Sequence, residues 1–172
     1  PIIESPPPQG GIVAITYSCH SLSMKIWIDA DVCPTVIKEI IFRASERTKT
    51  AVIVVANKPI KIPLNGLVST IQVAQGFDMA DERILSELSA GDLVITADIP
   101  FADAAIDQGA LAINPRGDLY SKENIKDRLA TRNLMEELRD AGMIRGGPKP
   151  LGLKDRQAFS NKLDTILAKK LV

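Results

Sequence analysis

The sequence predicts a three-layer α/β fold: a mostly parallel sheet of about four or five strands, helices on both faces, and extra helices at the carboxyl end. Two observations carry this. From Met24 onward, short apolar runs alternate with segments of helical period. The runs are continuous and rich in branched residues rather than alternating with polar ones, the mark of strands buried on both faces. Parallel neighbours of this kind are joined by right-handed crossovers.

Lys25 to Asp29 is the first strand, a short apolar run closed by acidic residues. Pro34 to Thr48 follows with Val36, Ile37, Ile40, Ile41 and Ala44 at helical spacing, and a proline suits the first helical turn. Ala51 to Ala56 is a second buried strand and Val68 to Val73 a weaker third. Asp78 to Leu88 is helical, with Met79, Ile84, Leu85 and Leu88 as its apolar face. Leu93 to Thr96 is a strand, Phe101 to Gln108 a short helix stopped by Gly109, and Leu111 to Ile113 the last strand. Two helices close the chain, at about 121–141 and 154–171. Ser121 and Asn124 stand at capping-box spacing before the first of them. Between them, Gly142 to Gly152 reads as a loop or linker.

Residues 1–23 read as a flexible extension, because Pro6, Pro7 and Pro8 followed by Gly10 and Gly11 start neither a helix nor a central strand. The remainder, 24–172, reads as one domain. The only histidine, His20, falls in the extension. Lysine plus arginine number 21 and aspartate plus glutamate number 21, which argues against a generally basic nucleic-acid coat. Aromatic residues make up 4%, too few for a base-stacking platform. Two cysteines, Cys19 and Cys33, build no disulfide framework and suit a reducing cytoplasm. No apolar run is long enough to span a membrane.

In an open parallel sheet, ligands bind beyond the carboxyl ends of the strands. Here those ends supply Asp29 and Asp31, then Asn57, then Asp78 and Asp81, then Thr96 and Asp98, then Asn114 and Arg116. Carboxylates from three separate strand ends would repel one another unless a cation lies between them. An all-oxygen donor set suits Mg²⁺ or Mn²⁺, ions that serve phosphoryl transfer and phosphodiester hydrolysis. The competing reading is structural: aspartate is common at helix N-termini, where it accepts backbone hydrogen bonds. Asp78 fits such a cap, and Asp103 reads as a helix-surface residue.

The strings WIDADVCP, VVANKP, GFDMADERI, GDLVITADIPFAD, INPRG and GGP, in this order, resemble the YaiI/YqxD family of uncharacterised bacterial proteins. The resemblance covers Met24 to the carboxyl terminus. It implies a PIN-like, Rossmann-like fold and the site of a metal-dependent nuclease acting on RNA or DNA. PIN-type patterns place catalytic carboxylates where this chain has Asp29, Asp81 and Asp98. Asp31 and Asp78 then serve as further ligands or supports for the metal, with Asp103 a peripheral fourth position.

Other readings stand beside this one. Asn57, Lys58, Asn114 and Arg116 are phosphate-binding candidates, and Lys61 a weaker one. Arg145, Lys149, Lys154 and Arg156 flank the glycine-rich segment, as a solvated face or as a basic flap over the acidic site. Cys33 reads as structural, since no histidine follows Met24 to act as its base. A phosphatase of the haloacid-dehalogenase type is an alternative, with Asp29 as nucleophile, Asp31 as acid and Thr96 as a second motif. So is a non-catalytic module that binds nucleic acid or protein through a vestigial acidic cleft. The sequence leaves the oligomeric state open.

Overall fold

Residues 24–76, 78–146 and 150–171 are described by the computed structural model. The extension read over residues 1–23 lies outside them, as does Lys149. The strands are β1 (Lys25–Asp29), β2 (Ala51–Ala56), β3 (Val68–Gln72), β4 (Leu93–Ile95), β5 (Leu111–Ile113) and β6 (Leu119–Tyr120). The helices are α1 (Thr35–Thr48), α2 (Met79–Glu87), α3 (Ile99–Asp107), α4 (Ile125–Asp140) and α5 (Leu153–Leu171). The sheet has six strands in the order β3-β2-β1-β4-β5-β6. All neighbours are parallel except β5 and β6. The predicted mostly parallel sheet with helices on both faces is therefore present, one strand larger than expected.

The period-2 geometry of each strand divides the core between two faces. On one face Ile26, Ile28, Val52, Val54, Leu93 and Ile95 pack with Ile37 and Ile41 of α1 and Phe159 and Leu163 of α5. On the other, Trp27, Val55 and Val94 pack with Ala80 and Ile84 of α2 and Phe101 and Ala105 of α3. A third cluster joins α3 to the start of α4 through Ala102, Ile106, Tyr120 and Ile125.

Two helix starts and one added strand depart most from the sequence reading, each for a local reason. Helix α3 starts at Ile99, two residues early, because Asp98 caps it and Pro100 sits in its first turn. Helix α4 starts at Ile125. The Ser121–Asn124 pair does form a reciprocal box, with Asn124 Oδ1 accepting from the Ser121 N–H at 2.9 Å and Ser121 Oγ from the Asn124 N–H at 3.2 Å. That box closes a turn ahead of the regular helix. Strand β6 was not anticipated, because two residues are too short for a periodic signal.

Asp92 ties the entry of β4 to β1. It is 2% exposed, and its oxygens accept from the Trp27 indole N–H at 3.0 Å, the Lys25 N–H at 3.1 Å and the Ser89 N–H at 3.0 Å. Truncation leaves three donors without their acceptor in or near the core. Asp92→Ala is expected to lower unfolding free energy by about 3 kcal/mol, read from the urea midpoint. An unchanged midpoint would refute that role.

The strand order reverses direction at β1 and β4: the chain winds outward through β2 and β3 on one side, then returns to β4 and β5 on the other. A crevice opens at such a switch point, outside the carboxyl ends of the two central strands. Ile28 pairs with Ile95, so Asp29 and Thr96 come level at that edge.

Candidate metal centre

Five aspartates border one cavity of about 430 Å³ at this crevice: Asp29, Asp31, Asp78, Asp81 and Asp98. Asn57 and Thr96 also line it, and Val32 and Met79 add apolar surface.

Each carboxylate is placed by a different local device. Asp29 ends β1, and its Oδ1 accepts from the Asp31 N–H at 3.1 Å. Asp31 crosses to the next strand end, where its Oδ2 accepts from the Asn57 N–H at 3.0 Å. Asp98 caps α3: its Oδ1 accepts from the Phe101 N–H at 3.0 Å. Its own N–H donates to Oγ1 of the buried Thr96 at 2.9 Å, which stiffens the turn. Asp81 lies in the first turn of α2.

Asp78 occupies the N-cap position of α2 yet makes no side-chain cap bond. Its φ of 61° is left-handed, outside the extended conformation in which a capping carboxylate reaches the helix N–H groups. The carboxylate is thereby left for the cavity. Asp78, Asp81 and Asp98 each offer one oxygen, and these oxygens lie within 4.8 Å of one another. The resemblance singles out Asp29, Asp81 and Asp98 as the catalytic carboxylates, with Asp31 and Asp78 as further ligands or supports. Asp78 takes the third position in the observed cluster, and Asp29 borders the same cavity from the strand side.

The electrostatics match the crowding. Burial pushes the Asp81 carboxyl up to about 7, and the charges of Asp98, Asp29 and Asp78 push in the same direction. Each of these influences works against its ionised form. Asp29 is also raised, first by burial and then by the charges of Asp31 and Asp98, against the opposing hydrogen bond from the Asp31 N–H.

The remaining candidates fall elsewhere. Asn114 and Arg116 do not line this cavity. Asn114 Oδ1 accepts from the N–H groups of Arg116 at 2.9 Å and Asp118 at 3.0 Å, closing the turn between β5 and β6. The Arg116 guanidinium pairs with Asp155 of α5 at 2.7 Å. Both therefore serve turn and helix docking. Asp103 pairs with Lys126 at 3.2 Å. Lys58 lines a neighbouring pocket, together with Lys38, which the sequence reading did not single out because nothing in its helical spacing marks it.

Cys33 is buried, and burial pushes its thiol up to about 12. Its side chain belongs to the apolar core beside α1, in keeping with the structural reading. In peptide mapping, Cys33 is expected to resist iodoacetamide at pH 8 until the protein is unfolded in urea. Rapid native labelling would contradict this.

Among the described residues, no helix is long and apolar enough to cross a membrane. The family described as "Uncharacterized BCR, YaiI/YqxD family" matches residues 27–169. A "UPF0178 protein" of Hahella chejuensis is 55% identical over 146 residues, covering 85% of this chain and 97% of the relative. A "UPF0178 protein" of Shewanella amazonensis is 54% identical over 146 residues, covering 85% and 98%. "UPF0178 protein Tgr7_2584" of Thioalkalivibrio sulfidiphilus is 53% identical over 147 residues, covering 86% and 100%. No solved structure matches the chain.

Proposed function

The chain belongs to the YaiI/YqxD family, and from the geometry of its acidic cavity we propose that it is a metal-dependent phosphodiesterase, a nuclease of PIN-like fold acting on RNA or DNA in the cytoplasm. One observation carries the reading: the three oxygens of Asp78, Asp81 and Asp98 gathered within 4.8 Å, with one carboxyl pushed up to about 7.

The residues fit a hard divalent cation. The donor set is oxygen only, the choice of Mg²⁺ or Mn²⁺. Burial first, and then the charges of Asp98, Asp29 and Asp78, work against an ionised Asp81, and a cation among the carboxylates would offset both. Held by Asp78, Asp81 and Asp98, such an ion supplies positive charge beside a phosphate and lowers the pKa of a nearby water.

The protein's own groups divide the remaining work. Asp29 is fixed by the Asp31 N–H, and its raised pKa makes it a better proton acceptor than a solvated aspartate, so it serves as general base. Asp31 is tied to the Asn57 N–H and holds the β1 and β2 ends together under the substrate. The Thr96–Asp98 turn keeps the α3 carboxylate in place.

The test is turnover of labelled single-stranded RNA and DNA with Mn²⁺, comparing wild type with Asp98→Asn and Asp29→Asn. The expected result is cleavage by wild type and a loss of about 100-fold or more in each variant. Equal turnover in all three, or none on any nucleic acid, overturns the reading. A phosphoryl group trapped on Asp29 would favour the phosphatase. Metal-independent binding without cleavage would favour the non-catalytic module.

A further inference from the structure

A second pocket, of about 270 Å³, adjoins the acidic cavity, and Asp31 lines both. Its character is opposite. Lys38 of α1 and Lys58, just beyond β2, both line it. The Lys38 ammonium donates to the Ala30 carbonyl at 3.3 Å. That contact fixes it at the edge of β1 and uses one of its three donors. Lys58 is exposed, and neither lysine forms an ion pair among the described residues. Asp31 is the one carboxylate on the pocket wall, and its Oδ2 is engaged by the Asn57 N–H. Pro59 and Ile60 add apolar surface without an aromatic ring.

Two lysines lining one concavity, neither ion-paired with a carboxylate among the described residues, make a site for an anion. The neighbouring carboxylates repel a free anion unless a cation or a covalent tether brings it there. A polynucleotide supplies the tether: it carries further phosphates on the same strand as one held in the acidic cavity, and Asp31 lines both pockets. We infer that the Lys38–Lys58 pocket is a second phosphate subsite, which holds the backbone of a single-stranded polynucleotide beside the phosphate to be cleaved. This rests on the phosphodiesterase reading for the first phosphate, and adds a requirement for substrates longer than a single phosphodiester. Lysine contacts to phosphate position a strand without reading sequence, and Pro59 and Ile60 offer a sugar an apolar surface but a base no stacking platform.

Lys58 is exposed, so substitution there leaves the fold intact, and it is the residue to change. Binding of a fluorescein-labelled eight-nucleotide single strand is measured by anisotropy at several salt concentrations, for wild type, Lys58→Ala and Lys58→Glu. Lys58→Ala is expected to weaken binding about tenfold at low salt and to reduce the slope of log affinity against log salt by about one. Lys58→Glu is expected to weaken it further. Affinity and salt slope equal to wild type in both lysine variants, or no binding by wild type, overturns the subsite. Strand binding that depends on Lys58 in a protein that cleaves nothing keeps the subsite and removes the phosphodiesterase reading. Cleavage that is indifferent to Lys58 does the reverse.

Discussion

Asp81→Asn is expected to make the metal-free protein more stable while removing its response to divalent metal. Asp81 is raised to about 7 by burial and by the charges of Asp98, Asp29 and Asp78. An aspartate in the unfolded chain titrates near 3.8. Below that value both states are protonated and the group is neutral in its effect. Between there and about 7 the fold keeps a proton that the unfolded chain has released, so stability falls as pH rises. Above about 7 the full penalty is present. Asparagine removes it. The carboxyl is partly solvated, so after discounting for screening the gain is about 1–2 kcal/mol. In a chain of this length that corresponds to about 2–8 °C in Tm at pH 8 with EDTA, and to no gain near pH 4. Adding millimolar Mn²⁺ is expected to raise the Tm of wild type, since a ligand that binds only the fold stabilises it. The variant is expected not to respond, and to lose about 100-fold or more in any metal-dependent turnover. A variant less stable than wild type at pH 8 would show that Asp81 has a favourable partner and that the cluster is not repulsive.

The second large effect is expected far from the cavity. Gly117 has φ of +92° in the turn between β5 and β6. A Cβ there would lie 2.6 Å from the Ala158 carbonyl carbon, 2.7 Å from its oxygen and 2.8 Å from the Phe159 nitrogen. Those are backbone atoms of α5, which cannot swing aside as a side chain would. Gly117→Ala therefore combines a left-handed strain of about 1–2 kcal/mol with overpacking of about 1–3 kcal/mol. It pries α5 from the face where Phe159 and Leu163 are fully buried. The expected loss is about 3 kcal/mol, or about 6–12 °C in Tm. Gly91→Ala is the control. Gly91 has φ of +90° but nothing within 4 Å of an added Cβ, so it reports the backbone strain alone. Equal losses at the two positions would show that α5 yields freely at the turn.

This turn also shows where sequence reasoning stops. Arg116 stood among the phosphate candidates because it follows a strand end. In the fold it pairs with Asp155, and the Asn114 and Gly117 beside it hold the turn against α5. Nothing in the local sequence says that Asp155, 39 residues further on, supplies the partner carboxylate. The strands were legible for the opposite reason. Lys25–Asp29, Ala51–Ala56 and Leu111–Ile113 match their predicted bounds because a strand buried on both faces writes its burial directly into a run of apolar residues. β6 has two residues and takes its place from the turn before it, so no run records it.

The acidic cavity was legible as a place and less so as an arrangement. Topology alone brings the ends of β1 and β4 to the switch point, and the sequence puts aspartates there. The membership of the tight cluster depends on one dihedral angle. Asp78 would be an ordinary cap in an extended conformation. At φ of 61° its carboxylate joins Asp81 and Asp98 instead. Spacing along a chain does not encode that choice. Lys38 was silent for a similar reason: a lysine on an amphipathic helix reads as solvated, and its contact with the Ala30 carbonyl depends on how α1 returns over β1.

On the function proposed above, Asp78, Asp81 and Asp98 together hold a divalent cation. Crystals of the protein grown with millimolar Mn²⁺, measured at the manganese absorption edge, test it most directly. An anomalous peak is expected among the three carboxylates, at oxygen-to-metal distances of about 2.0–2.6 Å. No peak in the cavity, or a peak on carboxylates outside this group, would contradict it.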